Sequence, residues 1–236
     1  GDASPLVGSF PNGARASGQA DVFIEAERVR IAALDIHAGG ARLSGQLSIG
    51  LNNVRAIDGE LATQTADLAT IASLILGAAP AERARFSSEP FAGAGLGGMT
   101  GAVKINIEQA RVADGILLTP LSFTLRGDGA ALMVEKLRAM WGKGEVSGEA
   151  RLVSGDGWKM SVRGEARQVA VTDMGRIRMM LPRGRVNVSL LAESAGRSPA
   201  ALAGSLRGSG TIRLEQAALA RFDPAAFDAV AKLAQA

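Results

Sequence analysis

The chain has 236 residues, 47% hydrophobic and 21% charged, the composition of a globular protein; with 30 glycines and only 4% aromatic residues, its core must be built from Ala, Val, Leu and Ile. Cysteine is absent and His37 is the sole histidine, which excludes disulfide frameworks and thiolate metal sites and argues against a His-based metal site or catalytic triad. The net charge is +3, the basic residues are spread among acidic ones and Tyr is missing, so neither the basic stripe nor the stacking rings of a nucleic-acid binder are present.

In chain order, residues 1–14 read as a linker, and no signal peptide or run of about 18 apolar residues is visible. From there period-two alternation dominates, the mark of half-buried strands. Leu47, Ile49 and Leu51 oppose Gln46 and Ser48. Val103, Ile105 and Ile107 oppose Lys104, Asn106 and Glu108, and Leu121, Phe123 and Leu125 oppose Ser122, Thr124 and Arg126. The pattern repeats with Trp158, Met160 and Val162 against Lys159, Ser161 and Arg163, and with Val186, Val188 and Leu190 against Asn187 and Ser189. Turn signals separate these runs, the strongest being Asp156-Gly157 between alternating strands, which predicts an antiparallel hairpin.

Helical spacing is confined to short stretches. Asp67 caps a stripe of Leu68, Ile71, Ala72 and Ile75, and Asp173 caps one of Met174, Ile177, Met180 and Leu181. Ser198-Pro199 and Asp223-Pro224 each set up a further helix start. These helices are expected to cap a sheet rather than form a layer of their own.

One module occurs three times: "SGQADVFIEAERV" at 17–29, "TGAVKINIEQARV" at 100–112 and "RGSGTIRLEQAAL" at 207–219. The intervals are unequal, which argues against a short-period solenoid. A second echo, 41–71 against 144–177, suggests related blocks: 15–82 and 83–182, each with a capping helix, then final strands and a C-terminal helix over 183–236, all in one continuous sheet.

Chemical motifs are weak. "GAGLGG" at 93–98 matches G-x-G-x-x-G but lacks the preceding strand and following helix a dinucleotide site requires, so it reads as a Gly-rich connection. Glu25, Glu108 and Glu215 recur at one place in the module, on the side opposite the apolar residues, where a solvated face is the better reading than a catalytic pair. His37 is expected on a solvated strand face. Arg176, Arg178, Arg183 and Arg185 surround Met179, Met180 and Leu181; they suit anionic headgroups, although a helix whose terminal Arg residues complement its dipole is favoured over that reading. No catalytic residue, metal ligand or cofactor is expected. The apolar face is the informative feature, because it must be covered by helices, a second sheet or a ligand.

The stretches "FSSEPF", "GAVKINIEQARVADGILLTPLSFTLRGDGAALMVEKLRAMWGKGEVSGEARL", "ARQVAVTDMGRI" and "SPAALAGSLRGSGTIRLEQAALARFDPAAF" resemble, in order over about residues 15–225, the C-terminal region of the AsmA family of Gram-negative envelope proteins, relatives of TamB. Lys143 interrupts an expected Gly-Gly. The resemblance implies a mainly β fold, a curled, taco-like antiparallel sheet or open half-barrel with a few short capping helices. It further implies a periplasmic, inner-membrane-anchored protein, the anchor lying outside these residues, that carries phospholipid or another envelope lipid in outer-membrane biogenesis, with envelope proteins as possible partners. The family pattern has no catalytic residues. On this reading Leu47, Ile49, Val103, Ile105, Ile107, Leu121, Phe123, Leu125, Trp158, Met160, Val162, Val186 and Val188 line the lipid-facing groove. The alternative is a structural or chaperone-like module that assists outer-membrane protein assembly by β-augmentation.

Overall fold

The computed structural model describes residues 6–9, 15–38, 41–51, 56–76, 86–91, 99–113, 116–173 and 183–218. Alternating apolar and polar side chains over these residues produce twelve strands in one sheet: β1 Leu6–Ser9, β2 Arg15–Glu25, β3 Arg28–Ala38, β4 Ala41–Gly50, β5 Ile57–Asp67, β6 Thr100–Ala113, β7 Ile116–Asp128, β8 Ala131–Trp141, β9 Gly144–Gly155, β10 Gly157–Ala170, β11 Arg183–Gly196 and β12 Arg207–Ala218. Strand β1 lies within the stretch read as a linker. Two helices accompany the sheet, α1 Leu68–Leu76 and α2 Pro199–Gly204.

Spatial order equals chain order, β1 to β12, so every strand lies beside its sequence neighbours. The curled, taco-like antiparallel sheet or open half-barrel expected from the resemblance is corrected on two counts. The sheet is open, with β1 and β12 at opposite ends of a linear order and no pairing between them, so it is neither curled nor closed. It is also mixed, because β5 and β6 pair in parallel, Gly59 opposite Val103 and Ile105 opposite Leu61. Alternation fixes which face is apolar but not how far a sheet bends. The parallel pair has its own cause, since residues 68–99, including α1, separate the two strands, and parallel neighbours require a long crossover of this kind.

The described parts of the crossover lie over the apolar face. Asp67 Oδ1 accepts the Thr70 N–H at 3.0 Å, the expected cap of α1, and Leu68, Ile71 and Leu76 pack against the core. Ala72, expected on that stripe, is exposed, and the Ile75 side chain lies outside the described residues. Further along, Phe91 N donates to Arg197 O at 2.9 Å and Ser87 O accepts from Ala200 N at 2.9 Å, so the crossover reaches α2 beyond β11. Helix α2 starts as its Ser-Pro sequence predicts: Ser198 Oγ accepts the Ala201 N–H at 3.2 Å, and Leu202 drops into the core. At the opposite end of the strands, Trp141 Nε1 donates to Asp173 O at 2.9 Å across the 3-10 turn Val171–Asp173. The helix expected from Met174 to Leu181, the one expected after Asp223 and the "GAGLGG" stretch lie outside the described residues.

Strands bulge where a non-glycine residue takes positive φ: Ala33 at 48°, Lys136 at 54° and Gln168 at 54°. Pairing shifts register at these places, between Ile31 and Leu34, Val134 and Leu137, and Ala166 and Val169. Each bulge puts one extra residue between two inward side chains and so keeps both on the same face.

Candidate functional site

Cross-strand partners share a face, so the register assembles the site directly. One row runs Ala139, Val146, Ala166, Val188, Ile212; the next Leu137, Gly148, Gly164, Leu190, Gly210; a third Val134, Ala150, Val162, Ala192, Gly208. All three lie on the face that holds Ile107 and Leu121, which pair with each other on β6 and β7. From β9 to β12 no charged residue occupies an inward position in these rows. The thirteen residues assigned to the groove from sequence also fall on this face, but in two different environments.

Over β6 and β7 the face is shut. Ile107 and Leu121 are each 1% exposed, Phe123 and Leu125 are buried in one cluster with Met99 against which α1 and Phe91 pack, and Val103 is buried as well. Trp158 and Val186 are buried as well, Trp158 within the cluster that takes in Leu202 of α2. These side chains already have partners in the chain itself. Leu47, Ile49, Ile105, Met160, Val162 and Val188 are half-buried. Toward β12 cover is lost altogether: Leu190 is 46% exposed, Leu214 44% and Ile212 71%. Alternation places Leu190 on the apolar face, beyond the residues assigned to the groove, whereas Leu214 and Ile212 are not among the residues that the sequence reading picks out. Ile212 and Leu214 stand in the third copy of the module where Ile105 and Ile107 stand in the second, so following the repeat through would have found them.

Between the shut and bare parts the floor is made of small side chains. Gly148 and Gly164 are direct partners, flanked by Ala150, Ala166 and Ala192. At Gly164 a β-carbon would meet only Ser147 O, at 3.8 Å, whereas at Gly148 it would meet Arg163 O at 2.8 Å, so the unused space of this shallow furrow lies above Gly164.

The other face is polar and largely paired with itself. Glu60 accepts from Lys104 Nζ at 2.9 Å and Asn106 Nδ2 at 2.7 Å, and these two hydrogen bonds, the lysine's first, hold its carboxyl below the usual range. Arg42 does the same for Asp35 through a two-pronged pair at 2.8 and 2.7 Å. Arg126 pairs with Glu135 at 3.1 Å. His37 is exposed here on β3, as its alternation predicts. An open hollow of about 560 Å³ lies between Arg42, Gln64, Asn106, Glu108 and Ser122. Among the described residues no three His, Asp or Glu side chains gather as a metal site.

The three module carboxylates do not converge. An odd number of antiparallel steps separates β2 from β5, and β5 is parallel to β6, so β2 runs against β6 while β12 runs with it. Glu25 and Glu108 are exposed; Glu215 accepts from Asn187 Nδ2 at 2.9 Å and Gln168 Nε2 at 2.8 Å beside the β10 bulge. Arg185 belongs to the same polar network and donates to Gln168 Oε1 at 3.0 Å, on the face away from the furrow. Arg176, Arg178 and the Arg183 side chain lie outside the described residues.

No family model matches the chain, and neither the curated proteins nor the solved structures compared with it yield a match. Among the described residues no helix is long and apolar enough to cross a membrane.

Proposed function

We propose that this chain is a non-enzymatic lipid-binding module that takes acyl chains of a phospholipid or similar envelope lipid onto the apolar face of β9 to β12. The observation that carries the reading is a face without inward charge from β9 to β12, shut over β6 and β7, that is half-buried at Gly164 and Val188 and opens to solvent at Leu190 and Ile212. An acyl chain gains about 0.8 kcal/mol for each CH₂ it withdraws from water. A floor of Gly and Ala lets it lie close to the backbone along its whole length. The polar back of the sheet stays in water. The resemblance to AsmA proteins supports a setting in the Gram-negative periplasm, anchored to the inner membrane, with a role in moving phospholipid and building the outer membrane.

The test places a photo-crosslinking residue at Val162, Val188 or Ile212 of the full chain and illuminates it with phosphatidylethanolamine-phosphatidylglycerol vesicles. Covalently attached phospholipid is expected at these three positions, and not at Leu121 in the shut region or Thr124 on the polar face. A folded protein that captures no lipid at any of them, or captures it equally at Thr124, would overturn the reading.

A further inference from the structure

The polar face neutralises itself in several places by close pairs across strands, with Lys104 2.9 Å from Glu60, Arg42 2.7 Å from Asp35 and Arg126 3.1 Å from Glu135. One stretch over β9 to β12 does not. The register sets Arg151, Ser161, Glu193 and Arg207 in one row across these strands, and Lys159 and Ala195 in the next. Strands about 4.8 Å apart put the two Arg residues of the row roughly 14 Å from each other, so both long side chains reach toward its middle, and Lys159 reaches it from the side. An open hollow of about 440 Å³ lies between them. Its floor is small: Ser161, Ala195 and Ser205, whose Oγ donates to Ala195 O at 2.6 Å and accepts from Ala195 N at 3.0 Å. Among the described residues Lys159, Glu193 and Arg207 enter no ion pair, and Arg151 is held only loosely, 3.9 Å from Asp128 and 3.5 Å from Met133 Sδ. Three cations therefore border the hollow against a single carboxylate, and the Ser161 hydroxyl has no partner.

We propose that this hollow binds a phosphate group, with Lys159, Arg207 and Arg151 around it and the Ser161 hydroxyl donating from the floor. The balance of charge selects the ligand. Three cations against Glu193 leave an excess of two positive charges, which a phosphate monoester matches near neutral pH, where it is close to doubly ionised. A carboxylate carries one charge in one plane and is met by a single Arg fork. Phosphate oxygens point in several directions, and here donors arrive from three sides and from below. Glu193 opposes any anion in the hollow, since it is the register partner of Arg207 and borders the same space. Its removal should therefore tighten phosphate and would weaken a cationic ligand. All of these charges are exposed, so binding is weak and falls as salt is added. The phosphate belongs to a soluble ester or to a lipid headgroup, with the same chemistry at the hollow in either case. The site lies on the face away from the furrow, and the inference does not depend on acyl-chain binding.

The full chain, labelled with nitrogen-15, is titrated with sodium phosphate and separately with sodium chloride at equal ionic strength, and the amide signals of Ser161, Ala195 and Ser205 are followed. Phosphate should shift them to saturation, and chloride should not. Lys159→Ala combined with Arg207→Ala removes two exposed side chains that hold nothing in the fold, and should weaken phosphate binding several-fold with the far-ultraviolet dichroism unchanged. Glu193→Gln should strengthen it several-fold, and Lys143→Ala, an exposed cation in the turn between β8 and β9, should leave it as it is. Cosedimentation with phosphatidylglycerol vesicles that is lost in the double variant would assign the phosphate to a lipid headgroup; phosphate binding without cosedimentation would assign it to a soluble ester. The proposal is overturned if phosphate and chloride act alike, if phosphate binding survives the double variant, or if it falls in Glu193→Gln.

Discussion

The two halves of the apolar face are written in the same alternating code yet behave differently. Over β6 and β7, large aliphatic side chains meet α1, Phe91 and Met99 and vanish from solvent. Over β9 to β12, the same face keeps Leu152, Trp158 and Val186 buried but is floored by Gly and Ala in its middle rows and ends in bare Ile212. Side-chain size and the path of one crossover separate the halves, and hydrophobicity alone would not have told them apart. A shut core and an exposed apolar surface therefore share one face of one sheet.

Truncating a side chain in each half is the most direct way to break this comparison. Leu121→Ala should cost about 3 kcal/mol, from lost burial plus the cavity left behind, whereas Ile212→Ala at low protein concentration should cost less than about 0.5 kcal/mol. Urea unfolding measures both, and equal costs would mean that the halves are not distinct. Filling the furrow sharpens the contrast: Gly164→Leu should leave the protein folded and lower lipid capture at Val188 several-fold, read by mass spectrometry of the crosslinked product.

Smaller effects probe how the cover is held. Ser198→Ala removes the cap of α2 and should destabilise by about 1 kcal/mol, with hydrogen exchange rising first at α2. Lys136→Gly should act in the opposite direction, raising the unfolding midpoint by the equivalent of about 0.5–1 kcal/mol, because Gly accepts the positive φ at the β8 bulge that a side chain resists. The smallest effect is expected at Asp128, whose carboxylate accepts from Ala131 N at 2.6 Å and Ala130 N at 2.9 Å in the turn after β7. Those bonds hold its folded pKa below the usual value. The stabilisation is therefore present above about pH 3.9, the ordinary Asp value, and is lost as pH falls through the lower folded pKa. Asp128→Ala should be less stable than the parent at neutral pH and indistinguishable from it in strong acid, which paired thermal melts would show.

Strands β6, β7 and β10 were plain in the sequence because the residues read there as alternating do alternate in space. β3 and β8 were not, since the bulges at Ala33 and Lys136 put inward residues three apart and blur the period of two. The parallel pair was concealed differently. A helix between two strands is the usual sign of a crossover, but a short apolar stripe set among antiparallel hairpins also fits a cap. The apolar face was legible residue by residue. Which part of it is shut was not, since that depends on where α1, Phe91 and Met99 come to lie and on the hydrogen bonds of Ser87 and Phe91 to Ala200 and Arg197.

A sheet whose strands lie in the order in which they are made has a consequence for assembly and for change of size. Most strands can dock on the one synthesised just before them after closing only a short loop, so the sheet can grow from its first strands outward with little entropy lost per step. The β5-to-β6 step is the exception and must wait for the crossover. By the same logic a hairpin could be inserted after β7 or removed from among β9 to β12 without rerouting any other strand. The length of such a sheet is adjustable in units of two strands, and its one fixed point is the parallel pair.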